Sequence, residues 1–308
     1  METNATRPPL TVFCGKGGVG KTTLSLALGL WHADRGRRVV VVSSHPLSEL
    51  ALTVSLQGLK DSHATAAANL FVVHIDPREI LGNKVRQQIP SELLARAVLS
   101  SRLYQNLVEV APGLKEIAFL ARLRQFAERQ ALDGQPEGYD LLIWDAPATG
   151  HFLQTLRVSR NFDSLMSGPF AVLGRDLVHF FSDPANIRLV PVTILEEMPV
   201  DETIEMCREL EDDLSMRPSV LLCNLASPML SAPDETYREL AAKAAAGGPG
   251  SAGMSVVLDR HAGERDLFSR LVQSISAPLH IVPRVTRWAS DLDLLQSLGR
   301  TLGELLPA

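Results

Sequence analysis

The sequence contains Gly15-Lys16-Gly17-Gly18-Val19-Gly20-Lys21-Thr22-Thr23, a glycine-rich stretch between an apolar run at 10–14 and a helical pattern at 24–35. The stretch satisfies two patterns, because G-x-G-x-x-G and G-x-x-x-x-G-K-T both begin at Gly15. Both patterns bring backbone N–H groups and a helix N-terminus close to a phosphate. The strand, the turn and the helix therefore predict an α/β fold that binds a phosphate-bearing ligand.

The residues after the second predicted strand separate the two patterns. A nicotinamide dinucleotide site needs an acid there for the ribose, or an arginine for a 2′-phosphate. The chain instead has Ser43-Ser44-His45. The triphosphate pattern needs a lysine for the β- and γ-phosphates and a hydroxyl ligand for Mg²⁺, and Lys21 and Thr22 supply both. A nicotinamide-dependent oxidoreductase stays as an alternative only through the overlapping glycines. The predicted nucleotide-binding residues of this stretch are Gly17, Gly18, Val19, Gly20, Lys21, Thr22 and Thr23.

Short apolar runs alternate with amphipathic helical stretches along the chain, which is typical of an α/β fold with a mainly parallel sheet. The runs are apolar almost throughout, as expected for strands that helices cover on both faces. We therefore predict a P-loop nucleoside triphosphatase fold of this kind. The predicted strands are 10–14, 38–43, 70–76, 140–145, 188–194, 219–224 and 279–282.

Two connections are longer than ordinary crossovers. Residues 77–138 and 151–187 have helical patterns, and such inserts can pack together as an α-helical subdomain within a single ATPase domain, 1–308. The alternative is that they are long crossover helices of the core. The Ala- and Gly-rich stretch 241–253 is predicted to be a surface loop. The spaced apolar residues of the inserts are Leu93, Leu94, Ala97, Val98, Ile117, Leu120, Leu123 and Phe126, then Met166, Phe170, Leu173, Val178, Phe180 and Phe181.

Composition narrows the classes of function. A formal net charge of −5 over 308 residues argues against a protein that coats nucleic acid or anionic membranes. The three cysteines form no CxxC pair, so no zinc site is expected and a reducing compartment fits best. No signal-peptide pattern or uninterrupted apolar run of about 18 residues occurs, so we expect a cytoplasmic protein without a transmembrane segment.

Lys16 gives the loop a second lysine, and this form, GKGGVGKT, resembles the deviant phosphate loop (deviant Walker A) of the MinD/ParA, nitrogenase iron protein and ArsA/guided-entry ATPases. Residues 144–151, with the sequence WDAPATGH, resemble the DTAPTGH switch II of the ArsA and tail-anchored-protein-targeting branch. ParA-type proteins lack that sequence motif. The likeness runs from about residue 10 to 306, so the chain resembles the ArsA/guided-entry ATPases.

This resemblance implies a dimeric ATPase that uses ATP and Mg²⁺ to open and close around a hydrophobic client or membrane partner. Lys16 would reach across a homodimer, or a heterodimer with a paralogue, to the partner's phosphates. Thr22 would bind Mg²⁺ directly, and Asp145 would hold it through water. The resemblance also assigns Pro147, Thr149, Gly150 and His151 to switch II, and the loop 196–203 with Asn224, Pro283 and Arg284 to the adenine side.

The chain departs from this family at switch I. The family usually has an S-T-D-P type sequence whose Asp positions the attacking water, and here that position is His45. A neutral imidazole can accept a proton, since its ordinary pKa is about 6.5, but it cannot replace a carboxylate's charge beside Mg²⁺. The predicted catalytic residues are Lys16, Lys21 and His45. The alternative is a catalytically weak regulatory subunit of a paired ATPase. The cysteines for an arsenite site, a shared zinc or an iron–sulfur cluster do not occur in the matching positions.

Overall fold

A mainly parallel sheet crosses the computed structural model, which describes residues 10–50, 63–110, 113–128, 138–165 and 169–306. Its order is β3-β4-β2-β5-β1-β6-β7-β8, and each neighbouring pair is parallel except β3 with β4. The strands are β1 (Leu10–Cys14), β2 (Val39–Ser43), β3 (His63–Ala67), β4 (Leu70–His74), β5 (Leu141–Asp145), β6 (Ile187–Ile194), β7 (Leu221–Ala226) and β8 (Leu279–Pro283). The predicted fold class is confirmed.

Helices connect the strands and follow the last of them. They are α1 (Lys21–Ala33), α2 (Leu47–Leu50), α3 (Pro77–Gln88), α4 (Glu92–Ser100), α5 (Arg102–Val110), α6 (Leu114–Ala127), α7 (Thr149–Leu165), α8 (Pro169–Ser182), α9 (Glu197–Leu214), α10 (Asp234–Ala245), α11 (Ser251–Ser274) and α12 (Asp291–Leu305).

The two faces of the sheet carry separate apolar cores, because successive side chains of a strand point to opposite faces. On β1, Val12 belongs to a core shared with α6, α7, α8, α9 and α11. Its neighbour Phe13 belongs to a core shared with α1 and α12. Every residue of β1, β2 and β5 is buried, which explains why their sequences are almost continuously apolar.

Close packing of backbones joins α12 to α1. A Cβ on Gly299 of α12 would lie 2.7 Å from the carbonyl oxygen of Ala27 in α1, so only glycine fits at this contact. Leu295, Leu298 and Leu302 of α12 are buried in the same core. The helix that begins at the glycine-rich loop is thus covered by the C-terminal helix of the described chain.

The apolar residues of the first insert, 77–138, are buried on one helix and exposed on another. On α6, Ile117, Leu120 and Phe126 are buried against the sheet. On α4, Leu93 and Leu94 are 79% and 58% exposed. Met166 and the side chain of Phe170 lie outside the described residues. The division of the chain into an ATPase domain and a helical subdomain stays a prediction.

Two parts of the chain were wrongly interpreted from sequence. Strand β3 was missed, because its sequence, His-Ala-Thr-Ala-Ala, has only weak strand preference. Residues 241–253 were predicted to be a loop, but α10 continues to Ala245 and α11 begins at Ser251. Alanine is the strongest helix former, so only the Gly- and Pro-containing residues between the two helices break the helical path.

Candidate nucleotide site

The glycine-rich loop follows β1 and is tightly enclosed at two of its glycines. Gly15 has φ of 138° and Gly20 has φ of 94°, a region in which residues with a Cβ are strained. A Cβ on Gly15 would collide with the carbonyl oxygen of Val192, and one on Gly20 with the side-chain amide of Asn224. Both glycines are therefore needed for the shape of the loop, while Gly17 and Gly18 are exposed.

Lys21 begins α1 and points back across the loop. Its Nζ donates a hydrogen bond of 2.8 Å to the carbonyl oxygen of Lys16, and the residue is only 8% exposed. Burial lowers the pKa of Lys21 from its usual value, and the nearby charge of Asp145 partly opposes this effect. A desolvated ammonium held inside a loop of backbone N–H groups is suited to binding phosphate.

Thr22, which is half-buried, and Asp145, which is buried, form a pair beside the loop. The Thr22 hydroxyl donates a 2.6 Å hydrogen bond to Oδ2 of Asp145, the last residue of β5. Asp145 is 1% exposed, and burial raises its pKa to about 6, against the opposing effects of Thr22, Lys21 and His45. Its Oδ1 is buried and has no hydrogen-bond partner among the described residues. A hydroxyl and an unsatisfied carboxylate oxygen are ligands that fit a hard cation such as Mg²⁺.

The end of β2 lies next to the end of β5, because Ser43 pairs in register with Asp145. The Ser44 hydroxyl donates a 2.7 Å hydrogen bond to the backbone carbonyl of Asp145. The backbone N–H of His45 donates a 3.0 Å hydrogen bond to the Ser43 hydroxyl, and the His45 residue is exposed. The structure thus places residues 43–45, which include the predicted switch I residue His45, beside Asp145.

Lys16 makes an ion pair within its own chain. Its Nζ lies 2.7 Å from Oε1 of Glu202, with side-chain exposures of 26% and 38%.

Glu202 belongs to α9, so the interpretation of residues 196–203 as a loop is wrong. Proline fits in the first turn of a helix, and Val200 and Ile204 are buried in a helical spacing, which explains why this stretch is helical.

The predicted switch II, residues 144–151, leads directly into α7. The N–H of Ala146 donates a 3.0 Å hydrogen bond to the carbonyl of Phe13, which fixes the turn against β1. Pro147 is half-buried, and Thr149 begins the helix. Gly150 and His151 are exposed in its first turn, and Gly150 has an ordinary negative φ with open space around it.

Sequence reasoning missed an acidic face on α9. Its residues Glu202, Glu209 and Asp213 follow a helical spacing, which is the signal that could have identified them. The Arg157 guanidinium of α7 donates 2.6 Å hydrogen bonds to Glu209 and Asp213. Helix α9 therefore forms ion pairs with both the glycine-rich loop and helix α7.

The residues predicted for the adenine side lie at the ends of β7 and β8. Asn224 is 4% exposed, and its Nδ2 donates a 2.8 Å hydrogen bond to the carbonyl of Val19 in the loop. Pro283 is half-buried at the end of β8, beside Ala226. Arg284 is exposed, and its backbone N–H donates to the Ala226 carbonyl. The structure thus brings Asn224 to the phosphate loop, and its contact with adenine stays a prediction.

Comparisons with known proteins converge on one family. The model of the anion-transporting ATPases matches residues 10–174, more than half of the chain. The arsenical pump-driving ATPase of Acidiphilium multivorum is 28% identical over 239 residues, 72% of this chain and 40% of its own length. ATPase BagA of Mycobacterium tuberculosis is 28% identical over 208 residues, which are 65% of this chain and 60% of its own length. The ATPase ASNA1 homolog of Entamoeba histolytica is 25% identical over 255 residues, which are 70% of this chain and 75% of its own length.

The chain therefore spans less than two thirds of the length of the first two of these relatives. Among its described residues, no helix combines the length and the apolar composition needed to cross a bilayer.

Proposed function

We propose, because the chain belongs to the anion-transporting ATPase family, that it binds ATP with Mg²⁺ and hydrolyses it to ADP and phosphate. The observation that carries this proposal is the hydrogen bond from Thr22 to the buried Asp145, beside the loop that holds Lys21. Lys21 would neutralise the β- and γ-phosphates, and Thr22 and Asp145 would hold Mg²⁺. The bound metal would supply positive charge to the phosphates as charge develops on them.

Replacing the Thr22 hydroxyl tests the proposal most directly. We expect Thr22→Val to weaken the Mg²⁺-dependent affinity for ATP by about 10- to 100-fold, as measured by titration calorimetry. Thr11→Val is the matched control, because Thr11 is buried on β1 and its hydroxyl has no hydrogen-bond partner among the described residues. Equal affinities of wild type and Thr22→Val would contradict the proposed site.

The same titration separates the oxidoreductase alternative. β2 ends at Ser43 and is followed by Ser44, at the position where a nicotinamide site needs a ribose-binding acid or arginine. We expect no saturable binding of NADH or NADPH under conditions in which Mg-ATP binds. Tight dinucleotide binding without Mg-ATP binding would favour the oxidoreductase instead.

We further propose that the active form is a dimer in which Lys16 acts on the partner's phosphates. In the single chain Lys16 pairs with Glu202, so it must exchange this partner to act across an interface. Mixing two inactive variants tests this step. If Lys16 acts in trans, a mixed dimer of Lys16→Ala and Lys21→Ala regains one complete site and releases phosphate. If Lys16 acts within its own chain, the mixture stays inactive.

The helical insert is our proposed contact with a hydrophobic client protein or membrane partner. Leu93 and Leu103, on α4 and α5, are 79% and 81% exposed, and burying them in a partner would remove apolar surface from water. We expect Leu93→Ser and Leu103→Ser to reduce binding of a transmembrane-segment peptide in at least one nucleotide state. Leu292→Ser, at a 55% exposed position on α12, is the control. Failure of the wild type to bind the peptide in either state would contradict client binding and leave the ATPase proposal intact.

A second candidate function is a catalytically weak subunit that needs a paralogous partner. The observation that favours it is His45 at switch I, exposed beside Asp145 and in place of the carboxylate that the resemblance implies. Brisk phosphate release by the isolated chain, abolished by Lys21→Ala, would exclude this candidate.

A further inference from the structure

Asn224 makes a long-range contact that a base-binding residue does not require. It ends the parallel pairing of β7 with β6, opposite Ile194, and is 4% exposed. Its Nδ2 donates a 2.8 Å hydrogen bond to the backbone carbonyl of Val19, 205 residues away in the glycine-rich loop. The side chain is therefore hydrogen-bonded to the loop backbone and almost completely shielded from water.

The surroundings hold Asn224 in this position. The next residue, Leu225, has a left-handed φ of 53°, and the register of β7 with β8 shifts between Cys223 and Ala226. The Nδ2 group also fills the space beside Gly20, where a Cβ would collide with it. Asn224 and the loop thus fit each other closely, and the requirement for glycine at position 20 arises partly from this contact.

The hydrogen bond fixes the direction of one peptide plane in the loop. In a planar trans peptide the carbonyl and the following N–H point in opposite directions. With the Val19 carbonyl aimed at Asn224, the Gly20 N–H points to the opposite side of that peptide. An unheld carbonyl could instead rotate, since glycine tolerates almost every backbone conformation.

We propose that Asn224 is a positioning residue for phosphate binding, which sets the orientation of the loop N–H groups independently of any contact with adenine. This proposal rests on the proposed function, and it assigns to Asn224 an action through the Val19–Gly20 peptide. It predicts that a ligand without a base depends on Asn224 as strongly as ATP does.

The test compares Mg-ATP with Mg-tripolyphosphate, which carries the phosphates alone. Asn224→Ala removes the donor without adding a charge next to the phosphates, and Asn224→Ser is a second uncharged variant for use if the first does not fold. We expect either variant to weaken both affinities by a similar factor of about ten, because a buried carbonyl loses its partner. Thermal unfolding of each variant checks that the fold is retained.

Ser219→Ala is the matched control, two residues before β7 begins. It removes the hydrogen bond that the backbone N–H of Leu189 donates to the Ser219 hydroxyl, and it is expected to leave both affinities unchanged. Loss of ATP affinity alone in the Asn224 variants would overturn the proposal and leave the ATPase function standing. An equal loss in Ser219→Ala would also overturn it, because the effect would then come from general weakening of β7. A wild type that bound neither probe would overturn the proposed function as well.

Discussion

The neighbouring ends of β5 and β2 are built very differently. Asp145, at the end of β5, is 1% exposed and accepts a hydrogen bond from Thr22. His45, two residues beyond the end of β2, is exposed, although Ser43 pairs in register with Asp145. The proposed metal side is thus fixed by burial before any ligand arrives, whereas the proposed water side depends on an exposed segment. The difference shows that one candidate site combines a buried half, with Asp145 and Lys21, and an exposed half at His45.

Loss of Lys21, the cation of the buried half, should reduce activity most severely. We expect Lys21→Ala to lower the rate of phosphate release by about 10²- to 10³-fold, because a buried charge facing the phosphates is lost. A continuous phosphate assay measures this effect. Lys115→Ala removes a lysine whose side chain is 32% exposed and paired with Glu109, and serves as the control. A Lys21→Ala variant with near-normal turnover would remove the basis of the comparison.

Asp145→Asn should separate binding from stability. We expect Mg²⁺-dependent ATP affinity to fall by about 10- to 100-fold, since the amide carries no charge for the metal. The unliganded protein should gain up to about 3 kcal/mol in the free energy of unfolding near pH 7, because the pKa of Asp145 is raised to about 6 in the fold.

The sign of this stability change follows from linkage. A carboxyl whose pKa is higher in the folded chain than in the unfolded chain destabilises the fold as pH rises from about 4 to about 6. Denaturant unfolding at pH 4 and pH 7 should therefore show the gain of Asp145→Asn only at the higher pH. Mg-ATP binding by the wild type should weaken as pH falls through 6, where Asp145 becomes protonated. A variant less stable than wild type at pH 7 would contradict this explanation.

Phosphate release should become faster when a carboxylate replaces His45 in the exposed half. If the isolated chain is catalytically weak, His45→Asp should raise the rate of phosphate release at least about tenfold, because a missing general base costs more than that. His179→Asp makes the same exchange at an exposed position on α8 and controls for added negative charge. A fall in the rate would instead indicate that His45 itself serves the reaction.

The smallest effect is expected at the Lys16–Glu202 ion pair, which joins the loop to α9. The pair is partly exposed, so breaking it should change free energies by only about 1 kcal/mol or less. If Lys16 acts across a dimer, Glu202→Gln should raise turnover by up to about fivefold at limiting protein concentration. Glu205→Gln, at an exposed position on the same helix, is the control. Reduced turnover would mean that Glu202 holds Lys16 in its working position.

Local patterns predicted the sheet and the glycine-rich loop because their physical requirements are local. A run such as Val39–Ser43 is apolar since both faces of the strand are covered, and the loop needs glycine where φ is positive. Contacts between distant residues left no such pattern. Lys16 meets Glu202 across 186 residues, and Asn224 meets Val19 across 205.

The prediction also failed where two structures share one composition. The Ala- and Gly-rich stretch 241–253 has the low complexity of a loop, but alanine extends α10 to Ala245. The exposed apolar residues of α4 show the converse, since the same helical spacing is buried on α6 and exposed at Leu93. Periodicity identifies a helix face without telling what covers it.

The contact of α12 with α1 has a consequence for synthesis on the ribosome. Gly299 lies against the carbonyl of Ala27, and the leucines of α12 cover the helix that starts at Lys21. The ribosome makes α12 long after it has made the loop and α1. A nascent chain that ends before α12 therefore carries every residue of the glycine-rich motif but leaves an apolar side of α1 open to water and to chaperones.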